Sequence, residues 1–243
     1  MICLGTIVNV AAILAGGAAG LVLKKVLSKR ITDTVMNGVA LAVMIIGIGG
    51  ALGAAFVIAD GKISTDHTLI MIISLAVGAV AGELIKIESK LDTFAKFCEN
   101  KFTKPGESST FAQGFVTATL VFCVGSMAIV GSLEDGIKGN SSILFAKSTL
   151  DGITSMIFAS TMGFGVLFSA LTVGVYQGSI TLLAIVVAPY LNDVVITQMS
   201  FIGSVLIMAI AMNMLQITKI KVGNMLPAIF IPIIYHLVGL LFS

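Results

Sequence analysis

A polytopic all-α membrane bundle is the fold class this sequence predicts, and three observations predict it. Apolar residues fill 57% of the chain and charged residues only 11%, against about 25% charged in a soluble domain. Apolar segments recur at bilayer length, since a helix needs roughly 20 apolar residues to cross the hydrocarbon core. The charges between those segments sort by side.

In chain order, the first apolar segment is Leu4–Leu23. It has no basic stretch before it and runs straight into Lys24 and Lys25, so it reads as a retained first span and not as a signal peptide. Met36–Ile58, Thr68–Ile85, Phe111–Gly131 and Met199–Leu215 meet the length test, and Gly223–Phe242 does so with Pro227 and Pro232 inside it. The block Ser141–Leu191 is too long for one crossing. Basic loops face the cytoplasm. Lys24, Lys25, Lys29 and Arg30 follow the first span, five lysines from Lys86 to Lys104 follow the third, and Lys219 and Lys221 precede the last. All of them share one side only if Ser141–Leu191 crosses twice. The expectation is therefore eight spans with both termini outside. The break falls near Gly163-Phe164-Gly165 or near Tyr176-Gln177-Gly178, and a re-entrant first half keeps the same parity.

After the third span, Ile87, Leu91, Phe94, Cys98 and Phe102 recur at helical spacing among charges. This reads as an interfacial amphipathic helix ended by Pro105-Gly106, or equally as a solvated helical hairpin. The organisation expected is a three-span half over residues 1–85, this cytoplasmic linker over 86–110, and a membrane half over 111–243. The second and seventh spans align without a gap, Met36-Asn37-Gly38 on Met199-Ser200-Phe201, and would run in opposite directions. Spans one to three and six to eight would then be an inverted repeat, a frequent plan of secondary transporters.

Gly16/Gly20, Gly49/Gly53, Gly78/Gly82 and Gly174/Gly178 have the spacing that lets helix backbones approach, and packing is their plain explanation. Ionisable groups in apolar sequence ask for more, because they normally face protein or a water-filled cavity. Lys147, Asp151 and Ser155 stand at i, i+4 and i+8 on one helix face, with Ser148 beside them. They are either a self-neutralising pair on a helix side or a polar seam lining a passage. Ser132–Gly136 and Ser148–Gly152 both read S-x-x-D-G. Ser-x-x-acid is also an ordinary helix N-cap signature, yet Glu134 and Asp135 beside a glycine at a helix end would also attract a cation or a proton. Gly125 and Ser126 are candidates to line the path. Asn9, Asn37, Gln177, Asn213 and Glu83 rank second, since an amide within a span is more often helix–helix glue than a ligand contact.

The sequence lacks a phosphate-binding G-x-x-x-x-G-K-[ST], an H-E-x-x-H and a G-x-S-x-G. Cys3, Cys98 and Cys123 have no metal-site spacing, and there are two histidines. No enzyme, metal or cofactor is expected, and no nucleic acid, because the lysines sit at helix ends and not in a basic stripe. The expected partners are the lipid bilayer and a small solute or ion; a homo-oligomer stays open.

The run Cys123–Gly136 (CVGSMAIVGSLEDG), Lys147–Gly152 (KSTLDG), Ala159–Val166 (ASTMGFGV) and Tyr176–Gly178 (YQG) together resemble the YqgA/YdfK family of bacterial inner-membrane proteins. The opening Gly5–Asn9 (GTIVN) and Leu226-Pro227 look like that family as well, so the resemblance covers essentially the whole chain. It implies a polytopic membrane protein of unassigned function in the bacterial inner membrane, and it carries over no site residue. The function expected is passage of a small solute or ion, as a secondary transporter or channel-like protein, coupled through Asp151, Asp135 or Glu134. The rival expectation is a non-transporting sensor or scaffold component.

Overall fold

A computed structural model describes residues 2–26, 29–59, 62–90, 93, 111–124 and 126–241. Nine long helices carry the fold among them: α1 (Leu4–Val26), α2 (Lys29–Ala55), α3 (Thr68–Ile85), α4 (Phe111–Cys123), α5 (Ser126–Lys138), α6 (Ser142–Met162), α7 (Gly165–Leu182), α8 (Asp193–Met214) and α9 (Ile231–Leu241). A short antiparallel hairpin, β1 (Phe56–Ala59) and β2 (Lys62–Thr65), joins α2 to α3 and holds the only strands among the described residues. The expected second span ran to Ile58; it stops at Ala55 because Phe56–Ala59 pairs with the next segment. The intervening dipeptide is Asp-Gly, which favours a two-residue hairpin.

Six helical segments are long and apolar enough to cross a bilayer, and the pair α4–α5, bent by 58°, is a broken seventh span or a re-entrant loop. The expected span Phe111–Gly131 is thus two helices and not one. Helix α6 is as long as the others but holds Lys147 and Asp151. It is not among the six segments apolar enough to cross by itself, and it runs parallel to α1, with Leu144 against Gly5, Gly152 against Gly16 and Met156 and Ala159 against Gly20. The break after it falls at Gly163, whose φ of +79° suits glycine; Tyr176-Gln177-Gly178 lies inside α7. Lys24 reaches Gly163, which puts a cation at the carbonyl end of α6, where the helix dipole favours one.

The remaining pairs are antiparallel. Helix α7 runs against α1, with Gly174 near Val10 and Gly178 near Thr6; α8 runs against α2, with Gly47 and Gly50 on Ser204 and Met208; the segment 222–230 runs against α3, with Gly82 at Asn224 and Gly78 at Ala228. Two of the expected glycine contacts fail: Gly49 and Gly53 face open space, and Gly47 and Gly50 do their work. Pro227 and Pro232 turn the start of the last span into a short helix (Val222–Met225) and a 3-10 turn (Leu226–Phe230) before α9 begins. Asn192 caps α8, its side chain accepting from the Val195 N–H at 2.9 Å. The core joins the helices through Ile13, Val43, Phe122, Phe158, Met162 and Leu206, with Phe122 stacked on Phe158 at 6.2 Å. Large side chains such as Ile45, Leu69, Val80 and Ile185 point outward, as a lipid-facing surface allows. The interfacial helix expected over 87–102 lies largely outside the described residues.

Candidate functional site

The charges of α6 are buried because α6 is pressed between α1 and α7. Its approach to α1 is close enough that a Cβ at Gly16 would run into the Gly152 carbonyl, so the two backbones touch there. Lys147 and Asp151 are 5% and 6% exposed, and the ammonium lies 2.6 Å from Asp151 Oδ2. The i, i+4 spacing brings them together within one helix. Two amides from two other helices complete the group: Asn9 of α1 donates to Asp151 Oδ2 at 3.0 Å and lies 3.2 Å from Gln177 Oε1 of α7. A buried ion pair survives when further hydrogen bonds satisfy it, and Asn9 supplies one. The cluster is not fully closed, however. Asn9 Oδ1 and Gln177 Nε2 are buried and have no hydrogen-bond partner.

The two serines of the same face are spent on backbone. Ser148 donates to the Leu144 carbonyl and Ser155 to the Ile13 carbonyl at 2.8 Å, across to α1. The seam is therefore filled by α1. The two S-x-x-D-G segments are not helix caps: both lie within helices, and Ser132, like Ser148, bonds back one turn, to the Ala128 carbonyl. Such back-bonding is how a mid-helix serine satisfies its hydroxyl.

Toward the end of the bundle that holds residue 2, a second polar group gathers. Asp135 of α5 is fully buried and accepts from Ser141 at 2.8 Å through Oδ1. Its Oδ2 has no partner, nor do the buried hydroxyls of Thr6 on α1 and Thr181 on α7. Cys3 lies within electrostatic reach of Asp135; burial, with the carboxylate second, pushes its thiol above the ordinary value. Glu134 points elsewhere, to Lys138 at 3.3 Å and Asn140 at 3.2 Å near the surface.

The other expected residues separate from this site. Asn37 is exposed on α2. Asn213 pins the loop after α8, donating to the Ile220 carbonyl and accepting from Thr218 and the Ile220 N–H. Glu83 joins α3 to the last span through Lys221 at 3.1 Å and Asn224. Gly125 and the Ser126 side chain lie outside the described residues. Thr6, Thr181 and Cys3 were not singled out by sequence, since a hydroxyl in an apolar helix gives no signal of its own. Two cavities of about 200 Å³ lie along α4, one lined by Gln113, Thr117 and Asn213, the other by Thr119, Cys123 and Tyr176; neither is lined by Lys147 or Asp151. Among the described residues, no three His, Cys, Asp or Glu side chains gather as a metal ion would need.

Comparison with known proteins places the chain. It is 34% identical over 242 residues to the "Uncharacterized membrane protein YdfK" of Bacillus subtilis (strain 168), covering 98% of this chain and 99% of that one. It is 29% identical over 232 residues to the "Uncharacterized protein YqgA" of Escherichia coli (strain K12), covering 94% of each. No solved structure matches. A family model described as "Protein of unknown function (DUF554)" matches residues 4–237, and with that match the chain, an integral membrane protein, belongs to this family.

Proposed function

We propose that this protein passes a small solute or ion across the bacterial inner membrane, as a secondary transporter or channel-like protein coupled to a proton or cation. One observation carries the reading: the Lys147–Asp151 pair is buried where three helices meet, and the amides around it keep atoms without partners. Stability alone does not ask for such a group, since apolar residues of similar volume commonly do as well or better. Ionisable residues held inside a bundle mark ion or substrate pathways as a rule. An inverted repeat of spans one to three and six to eight belongs to the same reading. The pairs it would relate, α1 with α7, α2 with α8 and α3 with the last span, are antiparallel neighbours. By the basic-loop argument both termini lie outside. The chain acts as no enzyme in this scheme.

The test is flux in liposomes. Purified protein should move at least one member of a broad panel of small solutes and ions, and Asp151→Asn should abolish its coupling to a pH or cation gradient. Failure to move anything across such a panel would remove the reading. The second reading, a sensor or scaffold component, draws on the close packing of α1 against α6, which leaves the ion pair without an open route.

A further inference from the structure

Among the described residues two aspartates are buried in helices, and of these two Asp151 alone has a counter-charge. Asp151 has Lys147 at 2.6 Å. Asp135 is 0% exposed, and its one recorded partner is the neutral Ser141 hydroxyl. A carboxylate withdrawn from water without a cation is costly, so such a group takes up a proton or holds an ion. The surroundings favour the ion. Thr6 and Thr181 are 5% and 2% exposed, and neither hydroxyl oxygen has a partner. Helical hydroxyls such as those of Ser132, Ser148, Thr149 and Ser169 bond to a backbone carbonyl of the preceding turn, the usual arrangement. Those of Thr6 and Thr181 do not, like those of Ser74, Thr119 and Ser200, but Thr6 and Thr181 alone of these five stand on the helices packed against α5 near Asp135.

The helices that carry the three residues pack together at one end of the bundle. Gly136, next to Asp135, lies directly against the Thr181 carbonyl, and a Cβ at Gly178 would stand 4.0 Å from Thr6 Cγ2. Cys3, one turn before Thr6, is within electrostatic reach of Asp135. Asp135 Oδ2, Thr6 Oγ1 and Thr181 Oγ1 are each buried without a partner, and together they would offer a hard, oxygen-only donor set with a single negative charge. A divalent ion at such a site asks for more carboxylates or for several retained waters.

We infer that Asp135, Thr6 and Thr181 bind a small monovalent cation of the sodium class. The site deepens the transport reading and rests on it for its role as the coupling-ion site. Its existence is tested by binding alone.

The full chain is reconstituted in nanodiscs free of sodium. Thermal unfolding is followed on adding NaCl, KCl or choline chloride at constant ionic strength. Sodium should raise Tm saturably, choline should not, and the sodium effect should vanish in Asp135→Asn and in the near-isosteric pair Thr6→Val/Thr181→Val. Alkylation of Cys3, in a Cys98→Ser/Cys123→Ser background, should quicken several-fold with sodium, because a bound cation offsets the Asp135 charge that opposes the thiolate. Equal Tm in sodium and choline, a sodium effect that survives Asp135→Asn, or a response to pH alone would overturn the site. Saturable sodium binding in protein that passes nothing in liposomes would uphold the site and sink the transport reading instead.

Discussion

Helix pairs α1/α6 and α2/α8 are built by the same device and end with opposite contents. In each, a helix rich in glycine lets a partner approach to backbone contact: Gly16 meets Gly152, and Gly47 and Gly50 meet Ser204 and Met208. The α2/α8 interface then closes on apolar side chains such as Val39, Val43 and Leu206. The α1/α6 interface closes on an ammonium, a carboxylate and an amide. Small residues therefore set the distance between helices, not the chemistry held between them. Close packing around charge is what turns an ordinary i, i+4 pair into a buried one.

The comparison breaks most forcefully at Lys147. Lys147→Met leaves Asp151 buried and unpaired, and stability should fall by about 3–5 kcal/mol. The double variant Lys147→Met/Asp151→Leu should recover most of that loss. Unfolding in bicelles reads both, and equal losses in the single and double variants would show that the pair is not electrostatically coupled.

Glycine substitutions should grade the two interfaces. Gly16→Ala drives a methyl into a backbone carbonyl and should cost about 1–3 kcal/mol. Gly50→Ala meets the Ser204 side chain, which can turn away, so its loss should be smaller. Gly49→Ala meets nothing within 4 Å and should stay within about 0.5 kcal/mol. Unfolding measurements that reverse this order would show the interfaces to be assigned wrongly.

Asn9→Leu should have a more modest effect, about 0.6 kcal/mol and at most about 1.7, the range of side-chain hydrogen bonds between membrane helices. The matching change at Asn37, exposed on α2, should be neutral in the same assay.

The smallest effect concerns pH at the end of α1. The folded-state value of Cys3 is raised by burial first and by Asp135 second. Its alkylation should therefore reach half-maximum above the pH of an ordinary thiol, and Asp135→Asn should shift that midpoint down only in part. A midpoint unmoved by Asp135→Asn would break the link between α1 and α5.

Much of this fold was legible in the chain. The first and third spans follow from apolar length, and the division of Ser141–Leu191 into two helices follows from its length, with Gly163-Phe164-Gly165 one of the two breaks the glycines offered. The break between α4 and α5 was not legible, because Phe111–Gly131 holds no charge and a glycine-serine pair such as Gly125-Ser126 is tolerated inside a span. Nor was the hairpin after α2, which interrupts an apolar run by pairing with the segment that follows it. At the site, the four-residue spacing of Lys147 and Asp151 announced the pair. Asn9 and Gln177 carried only the weak signal of amides in spans, and nothing marked Thr6 or Thr181.

The sequence by itself determined that this protein lives in a bilayer, because it repeats apolar segments of helical crossing length and holds most charges to their ends. It also determined that Lys147 and Asp151 share a face, since helical periodicity is local. Only the tertiary structure decided what shelters them. Asn9 stands 142 residues from Asp151 and Gln177 stands 168 residues from Asn9. No local rule fixes which glycine stripe meets which; that choice belongs to the packing of whole helices against one another.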